Sequence, residues 1–138
     1  MFENEFIEIK PLGPGMLYCK YKKGVVINLE GAKKIVRERL EFQKGVDYFI
    51  LVDASEVMFI TSKAKAYFRT HGEQGVKCYS IIMNANKVHR LILNAYAKLA
   101  KKVVPFKVFT DYEDAKSWLE VHAIAVQDVE YTAAALRE

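Results

Sequence analysis

The 138-residue chain has few of the residues that carry catalysis or bind metal ions. Its two cysteines, Cys19 and Cys78, and its three histidines, His71, His89 and His122, lie far apart and lack the short spacings of a zinc site. Cysteines that alternate with the apolar positions of strands are usually buried free thiols. We therefore expect neither a metal site nor a cofactor.

The chain also lacks the glycine-rich loops that hold phosphates, GxGxxG and GxxxxGK[ST]. Its segment Gly13-Pro14-Gly15 stands between two predicted strands, so it indicates a turn and not the opening of a helix. No acid, base and nucleophile form a recognisable catalytic set. We expect a protein that is not an enzyme.

Long apolar runs and a strong excess of one charge are absent too. No run is long enough to cross a bilayer, and the first ten residues, MFENEFIEIK, carry acids where a secretory signal carries bases. The formal charge of +4, from 21 Lys and Arg against 17 Asp and Glu, is a mild excess, short of the dense basic arms that usually accompany nucleic-acid binding. We expect a cytoplasmic protein with no membrane span and no nucleic-acid partner.

The most informative stretch that is present runs from Asp47 to Tyr67. It begins with the continuous apolar run Tyr48–Val52, which is typical of a strand buried on both faces. Asp53 marks the exit from that strand, and a second apolar segment, Val57–Ile60, leads to the hydroxyl pair Thr61-Ser62. We expect this strand at the centre of the sheet and a helix after the hydroxyl pair.

The whole chain reads as one domain, residues 1–138, with a core of about 6–122. Strands are predicted near residues 6–9, 16–21, 48–53, 76–83 and 106–109, with a turn at 11–15. Helices are predicted from an Asn28 N-cap to about Lys44, and then at 62–71, 84–103 and after Asp111. The order ββαβαβαβα predicts an α/β (α+β) fold, a single mixed β-sheet of four to five strands with helices packed on it.

The last helix and the tail carry two further expectations. Trp118 has helical spacing with the apolar residues around it and is predicted to anchor this helix in the core. The Ala-rich end of the chain is compatible with a helix, an added strand or a frayed terminus. Because residues 123–138 carry apolar positions without an evident partner in the domain, we expect a homodimer.

A basic strip follows one side of the predicted helix 84–103. Its members step by three or four residues or by multiples of such steps: Lys87, Arg90, Lys98 and Lys101. Such a strip is most often a solvated face. The functional alternative is an anionic partner, which could be a phosphate, an acidic protein or a membrane surface.

Asp53, Thr61 and Ser62 form the other candidate site. An acid at the end of a strand and a hydroxyl at the start of the next helix would flank one edge of the sheet. A phosphate on Ser62 would meet unpaired backbone N–H groups and the positive end of the helix dipole. In the simpler interpretation, Thr61 or Ser62 only caps the helix.

The chain resembles a STAS-type domain, the fold of anti-sigma-factor antagonists and of sulfate-transporter tails, and more closely the uncharacterised bacterial STAS-like proteins. The resemblance rests on LVDASEVMFITS, Leu51–Ser62, and VFTDYEDAKSWL, Val108–Leu119. In the antagonists the corresponding junction reads Asp-Ser-Ser-Gly, and its first Ser is phosphorylated. Here the junction reads Thr61-Ser62-Lys63-Ala64, so the resemblance implies Ser62 as the phospho-switch candidate.

Two classes of function stay open. The first is a non-enzymatic regulatory or protein-interaction module that works through the junction between Asp53 and Lys65. The second is a protein that binds a small apolar, lipid-like ligand in a cleft between the long helix and the sheet. The content of 8 Tyr, 8 Phe and 1 Trp allows such a cleft, although aromatic side chains at regular spacing usually belong to the core.

Overall fold

A computed structural model describes residues 1–84 and 104–136 of the chain. Eight strands are found there: β1 (Phe2–Glu3), β2 (Ile7–Gly13), β3 (Met16–Tyr21), β4 (Val26–Ile27), β5 (Tyr48–Asp53), β6 (Phe59–Ile60), β7 (Val76–Ile82) and β8 (Phe106–Phe109). Three helices are found in the same ranges: α1 (Leu29–Gln43), α2 (Ser62–His71) and α3 (Tyr112–Leu136). The predicted helix at 84–103, with its basic strip, lies outside the described residues.

The main sheet is mixed and has the order β1-β2-β3-β5-β7-β8. Strands β3, β5, β7 and β8 are mutually parallel, and the β1–β2 and β2–β3 pairs are antiparallel. The predicted fold class and the central place of Tyr48–Val52 are therefore confirmed. The sheet has six strands and not four to five, because Phe2 and Glu3 pair with Ile9 and Glu8. Two residues are too few to show a strand period in the sequence.

The first hairpin is tighter than the sequence predicts. Strand β2 continues to Gly13, which pairs with Met16, so only Pro14 and Gly15 form the turn. Gly15 has a φ of 70°, which glycine adopts without steric cost. The pairing shifts register between Pro11 and Gly13, so the expected five-residue turn is replaced by a strand extension with a bulge.

Each face of the sheet has its own core. Ile50 faces α1 and α2, whereas its neighbours Phe49 and Leu51 face α3, as the alternation along a strand requires. The core on the α1–α2 face contains nine buried residues: Ile7, Ile9, Leu17, Cys19, Ile27, Ala32, Ile35, Ile50 and Ala64. The core on the α3 face contains eight: Met16, Phe49, Leu51, Cys78, Ile82, Ala115, Leu119 and Ala123.

A buried polar network ties α1 to the end of α2. The Arg39 guanidinium donates to the carbonyl of Gly72 over 3.1 Å and also to the Gln43 side-chain oxygen. The Gln43 amide in turn donates to the carbonyls of Val46, at 2.9 Å, and Gly75, at 2.8 Å. Burial lowers the pKa of Arg39 from its ordinary value, and its guanidinium is held by hydrogen bonds to the Gly72 carbonyl and to Gln43.

Gly75 is a position in this network where an added side chain would be strained. Its φ is 74°, and an added Cβ would lie 2.8 Å from the Gln43 Nε2 atom and 3.0 Å from the Leu40 Cδ2 atom. We expect Gly75→Ala to lower the free energy of unfolding by about 2–4 kcal/mol, because left-handed strain adds to broken hydrogen bonds.

The matched control is Gly15→Ala, since Gly15 has a similar φ of 70° and nothing lies within 4 Å of its added Cβ. That change should cost only about 1–2 kcal/mol, the backbone term alone. Urea titration of both variants measures the difference. Equal losses would show that the contact with Gln43 contributes nothing.

The last helix begins as predicted and extends through the tail. Asp111 Oδ2 accepts a hydrogen bond from the Asp114 backbone N–H at 3.0 Å, which caps α3, and the helix then continues to Leu136. Helix is thus the correct interpretation of the tail as far as that residue, while the homodimer stays a prediction. Within the described residues, no helix combines the length and apolar character that a bilayer crossing requires.

Candidate functional site

Asp53 stands at the carboxyl end of the central strand and fixes the loop that follows. Its Oδ2 accepts a hydrogen bond from the Tyr18 hydroxyl at 2.9 Å, and its Oδ1 accepts from the Ser55 N–H at 3.0 Å and the Ser55 hydroxyl at 2.6 Å. Burial and the bond to Asp53 raise the pKa of Tyr18, which therefore stays a neutral donor. The carboxylate is consequently occupied by three donors and works as a support for the loop.

The loop after Asp53 leads into β6, which forms a small two-stranded sheet with β4. The Met58 N–H donates to the Val25 carbonyl at 3.0 Å, and the Thr61 N–H donates to the Ile27 carbonyl at 3.0 Å. Strands β4 and β6 are parallel, and they lead directly into α1 and α2. The two helices therefore begin side by side, next to this small sheet.

The small sheet presents an apolar patch, which we define as Val26, Met58 and Phe59. Val26 pairs with Phe59 across the sheet, and the side chains of Val26, Met58 and Phe59 are 52%, 71% and 57% exposed. The following residue of β4, Ile27, is fully buried in the core. Contiguous exposed apolar side chains on a folded domain mark sites of interaction.

Thr61 and Ser62 have separate roles at the start of α2. The Thr61 side-chain oxygen accepts a hydrogen bond from the Ala64 N–H at 3.2 Å, so Thr61 is the N-cap. Ser62 is exposed, and its hydroxyl makes no hydrogen bond within the described part of the chain. The hydroxyl of Ser62 is thus accessible and is not required for capping.

A shallow depression of about 360 Å³ separates the beginnings of the two helices. Its lining comes from the first residues of each helix and their caps: Asn28, Leu29, Glu30, Thr61, Ser62 and Lys63. Asn28 caps α1 as predicted, because its side-chain oxygen accepts from the Gly31 N–H at 2.9 Å. The two caps follow the patch closely in sequence, because Asn28 is two residues after Val26 and Thr61 is two residues after Phe59.

The structure does not bring Asp53 together with Ser62 in hydrogen-bond contact. The Asp53 carboxylate lies on the α3 face, where its partner Tyr18 packs edge-on against Tyr112 with the rings 5.7 Å apart. Ser62 begins α2, which packs on the opposite face through Ala64. Asp53 therefore acts on the junction through the loop that it supports.

Two other sequence-predicted features have no described site. The basic strip Lys87, Arg90, Lys98 and Lys101 falls outside the described residues, and so does the long-helix wall of the predicted apolar cleft. Within the described residues, no three His, Cys, Asp or Glu side chains come together to hold a metal ion.

The two cysteines are buried free thiols, as predicted. Burial raises the pKa of Cys19 to about 12 and that of Cys78 to about 11. At neutral pH both side chains are therefore protonated, and a protonated thiol is a poor nucleophile. Neither residue supplies reactive chemistry to the junction.

Comparison with known protein families identifies the family of this chain. A model of the family DUF7793, a domain of unknown function, matches residues 11–123. The chain belongs to this family. None of the curated proteins matches it.

The fold is shared with a solved structure from Shewanella loihica PV-4. That protein is uncharacterised, belongs to the DUF3478 family and is described as having a SpoIIAA-like fold. It is similar to this chain with a TM-score of 0.61 and 19% identity, over 86% of this chain and 98% of the other. The STAS-like fold expected from the resemblance is thereby confirmed, and at this identity the likeness shows the fold alone.

Proposed function

We propose that this member of DUF7793 is a non-enzymatic regulatory module that binds a protein partner through the junction between Asp53 and Lys65. The observation that carries the proposal is the exposure of Met58 and Phe59 beside Val26 on a small sheet. A Met and a Phe that are more than half exposed contribute little to the core, whereas such side chains are enriched at the centres of protein interfaces.

The backbone under the patch is well supported, which suits it for recognition. The Glu56 carbonyl accepts from the Gly24 N–H at 2.8 Å, and the β4–β6 pairing holds Phe59 against Val26. Asp53 fixes the start of the same loop through Tyr18 and Ser55. A surface that is ordered before binding loses less conformational entropy when a partner docks.

Ser62 supplies a means of regulation at the edge of the patch. It is exposed, it is the first residue of α2, and the cap is provided by Thr61. A phosphate there would be tolerated by the folded domain, because it would lie at the positive end of the helix dipole. The same charge would oppose the desolvation of the neighbouring apolar patch, so phosphorylation would release the partner.

The Ser62→Asp variant tests this proposal. The matched control is Ser117→Asp, because Ser117 is an exposed serine on α3. Each immobilised protein is incubated with a lysate of the native host, the captured proteins are identified by mass spectrometry, and the partner is then purified for titration. We expect wild type and Ser117→Asp to bind it alike, and Ser62→Asp to bind it at least about tenfold more weakly.

Equal binding by all three proteins would contradict the proposal. If a bound apolar ligand also appeared in mass spectra of the native protein, the alternative class, a small-ligand carrier, would replace it. Circular dichroism of the two variants keeps the comparison valid, because both Ser side chains are exposed and neither change should disturb the fold.

A further inference from the structure

We infer that the partner presents an acidic segment to the junction; this inference rests on the proposed function and specifies the chemistry of the partner. The observation behind it is a reversal of the usual charge pattern at the start of α2. Helix α1 has Glu30 in its first turn, and α3 has Glu113 and Asp114 there. Helix α2 has no acid in its first turn and carries Lys63 instead, followed by Lys65.

A cation at this end of a helix is unfavourable for the isolated domain. The unpaired N–H groups of the first turn give the helix a positive end, which stabilises anions and repels ammonium groups. Lys63 and Lys65 are both exposed, and within the described part of the chain neither is joined to a carboxylate in an ion pair. A local rule broken at the border of an exposed apolar patch points to a binding role for these charges.

The other charges around the patch leave a positive balance. Lys23, also exposed, lies just before β4. Two acids oppose these lysines: Glu56 is exposed, and Glu30 forms an ion pair with Lys33 at 3.8 Å. A partner with acids opposite Lys63 and Lys65, and with large apolar side chains opposite Phe59, would match both features.

An anionic membrane shares this charge but fits the surface less well. A membrane presents negative charge across its whole plane. It would therefore attract the lysines but also repel Glu56 and Glu30, and the two effects would oppose each other. A folded or extended protein segment can place its acids only opposite the lysines. The distribution of charge therefore favours a protein partner.

The probe is a phage-displayed library of short random peptides, panned on the full chain. The Met58→Ser/Phe59→Ser double variant is used for counter-selection, so that only peptides that need the patch survive. We expect the survivors to be rich in Asp and Glu next to aromatic or branched apolar residues. Synthetic versions should bind about tenfold or more weakly to Lys63→Glu/Lys65→Glu and should weaken as salt is raised.

The control double variant is Lys10→Glu/Lys107→Glu, which makes the same change of charge at two exposed lysines, one on β2 and one on β8. Peptides that need the patch but show no acid excess, and that bind Lys63→Glu/Lys65→Glu as tightly as wild type, would overturn this inference and leave the proposed function standing. Failure to recover any peptide that needs the patch would count against the proposed function itself. A third outcome would identify the partner as a lipid surface instead of an acidic protein. In that case no peptide binds, the wild-type protein sediments with phosphatidylserine vesicles, and the Lys63→Glu/Lys65→Glu variant does not.

Discussion

Leu119→Ala is expected to lower the free energy of unfolding by about 2–5 kcal/mol, which is more than Trp118→Ala should cost. Leu119 is fully buried between α3 and the sheet, where it shares a core with Leu51 and Phe49. Its removal would leave a cavity that the flanking helix positions, Ala115 and Ala123, are too small to fill.

Trp118 has a different position from the one that its spacing predicts. It is half-buried at the edge of this core, with its ring 6.0 Å from that of Phe109 and 4.0 Å from that of His122. Because part of the indole is already in water, we expect Trp118→Ala to cost about 1–2 kcal/mol.

Urea titration of the two variants measures the order of these losses. Val121→Ala is the control, since Val121 is exposed on the same helix and its loss should stay within about 0.5 kcal/mol. A greater loss for Trp118→Ala than for Leu119→Ala would show that the edge of the core, and not its centre, holds α3 on the sheet.

Phe59→Ser is expected to weaken binding of the purified partner by about 30-fold or more, equivalent to about 2 kcal/mol, with little change in stability. Met58→Ser should have an effect of the same kind. Both side chains are more than half exposed, so the folded domain loses little when they become polar. In an interface the Met58 and Phe59 side chains would be buried. A serine at either position would remove the favourable free energy that burial of the apolar side chain contributes to binding.

The chain offers a close internal control for this experiment. Val26 and Val46 are the same residue type and are both 52% exposed, but Val26 belongs to the patch whereas Val46 lies in the loop between α1 and β5. Titration calorimetry should show weaker binding for Val26→Ser and unchanged binding for Val46→Ser. Equal effects would indicate that general surface hydrophobicity drives the association.

The large elements could be predicted because each is specified by a local pattern. The apolar run Tyr48–Val52 is long enough to indicate a doubly buried strand, and Asn28 has the side chain that a helix cap requires. The face on which Asp53 lies was also predictable from the sequence. Asp53 has the strand parity of Phe49 and Leu51, so alternation along β5 alone could have placed it on the α3 face.

The exposed patch could not be predicted because it depends on contacts that are distant in sequence. Each strand of the small sheet has two residues, and Val26 pairs with Phe59 only after α1 and β5 have intervened. The apolar segment Val57–Ile60 gives no sign of which side chains point outward. Similarly, either Thr61 or Ser62 could have capped α2, and only the geometry assigns the cap to Thr61.

The most direct test of the central claim is photo-crosslinking in the native host with a photoreactive phenylalanine analogue at position 59 or, as the control, at position 46. The proposal predicts a covalent adduct with one protein from position 59, no such adduct from position 46, and loss of the first adduct when Ser62→Asp is added. The absence of an adduct at position 59, or the same adducts from both positions, would contradict the claim that this junction is a binding surface.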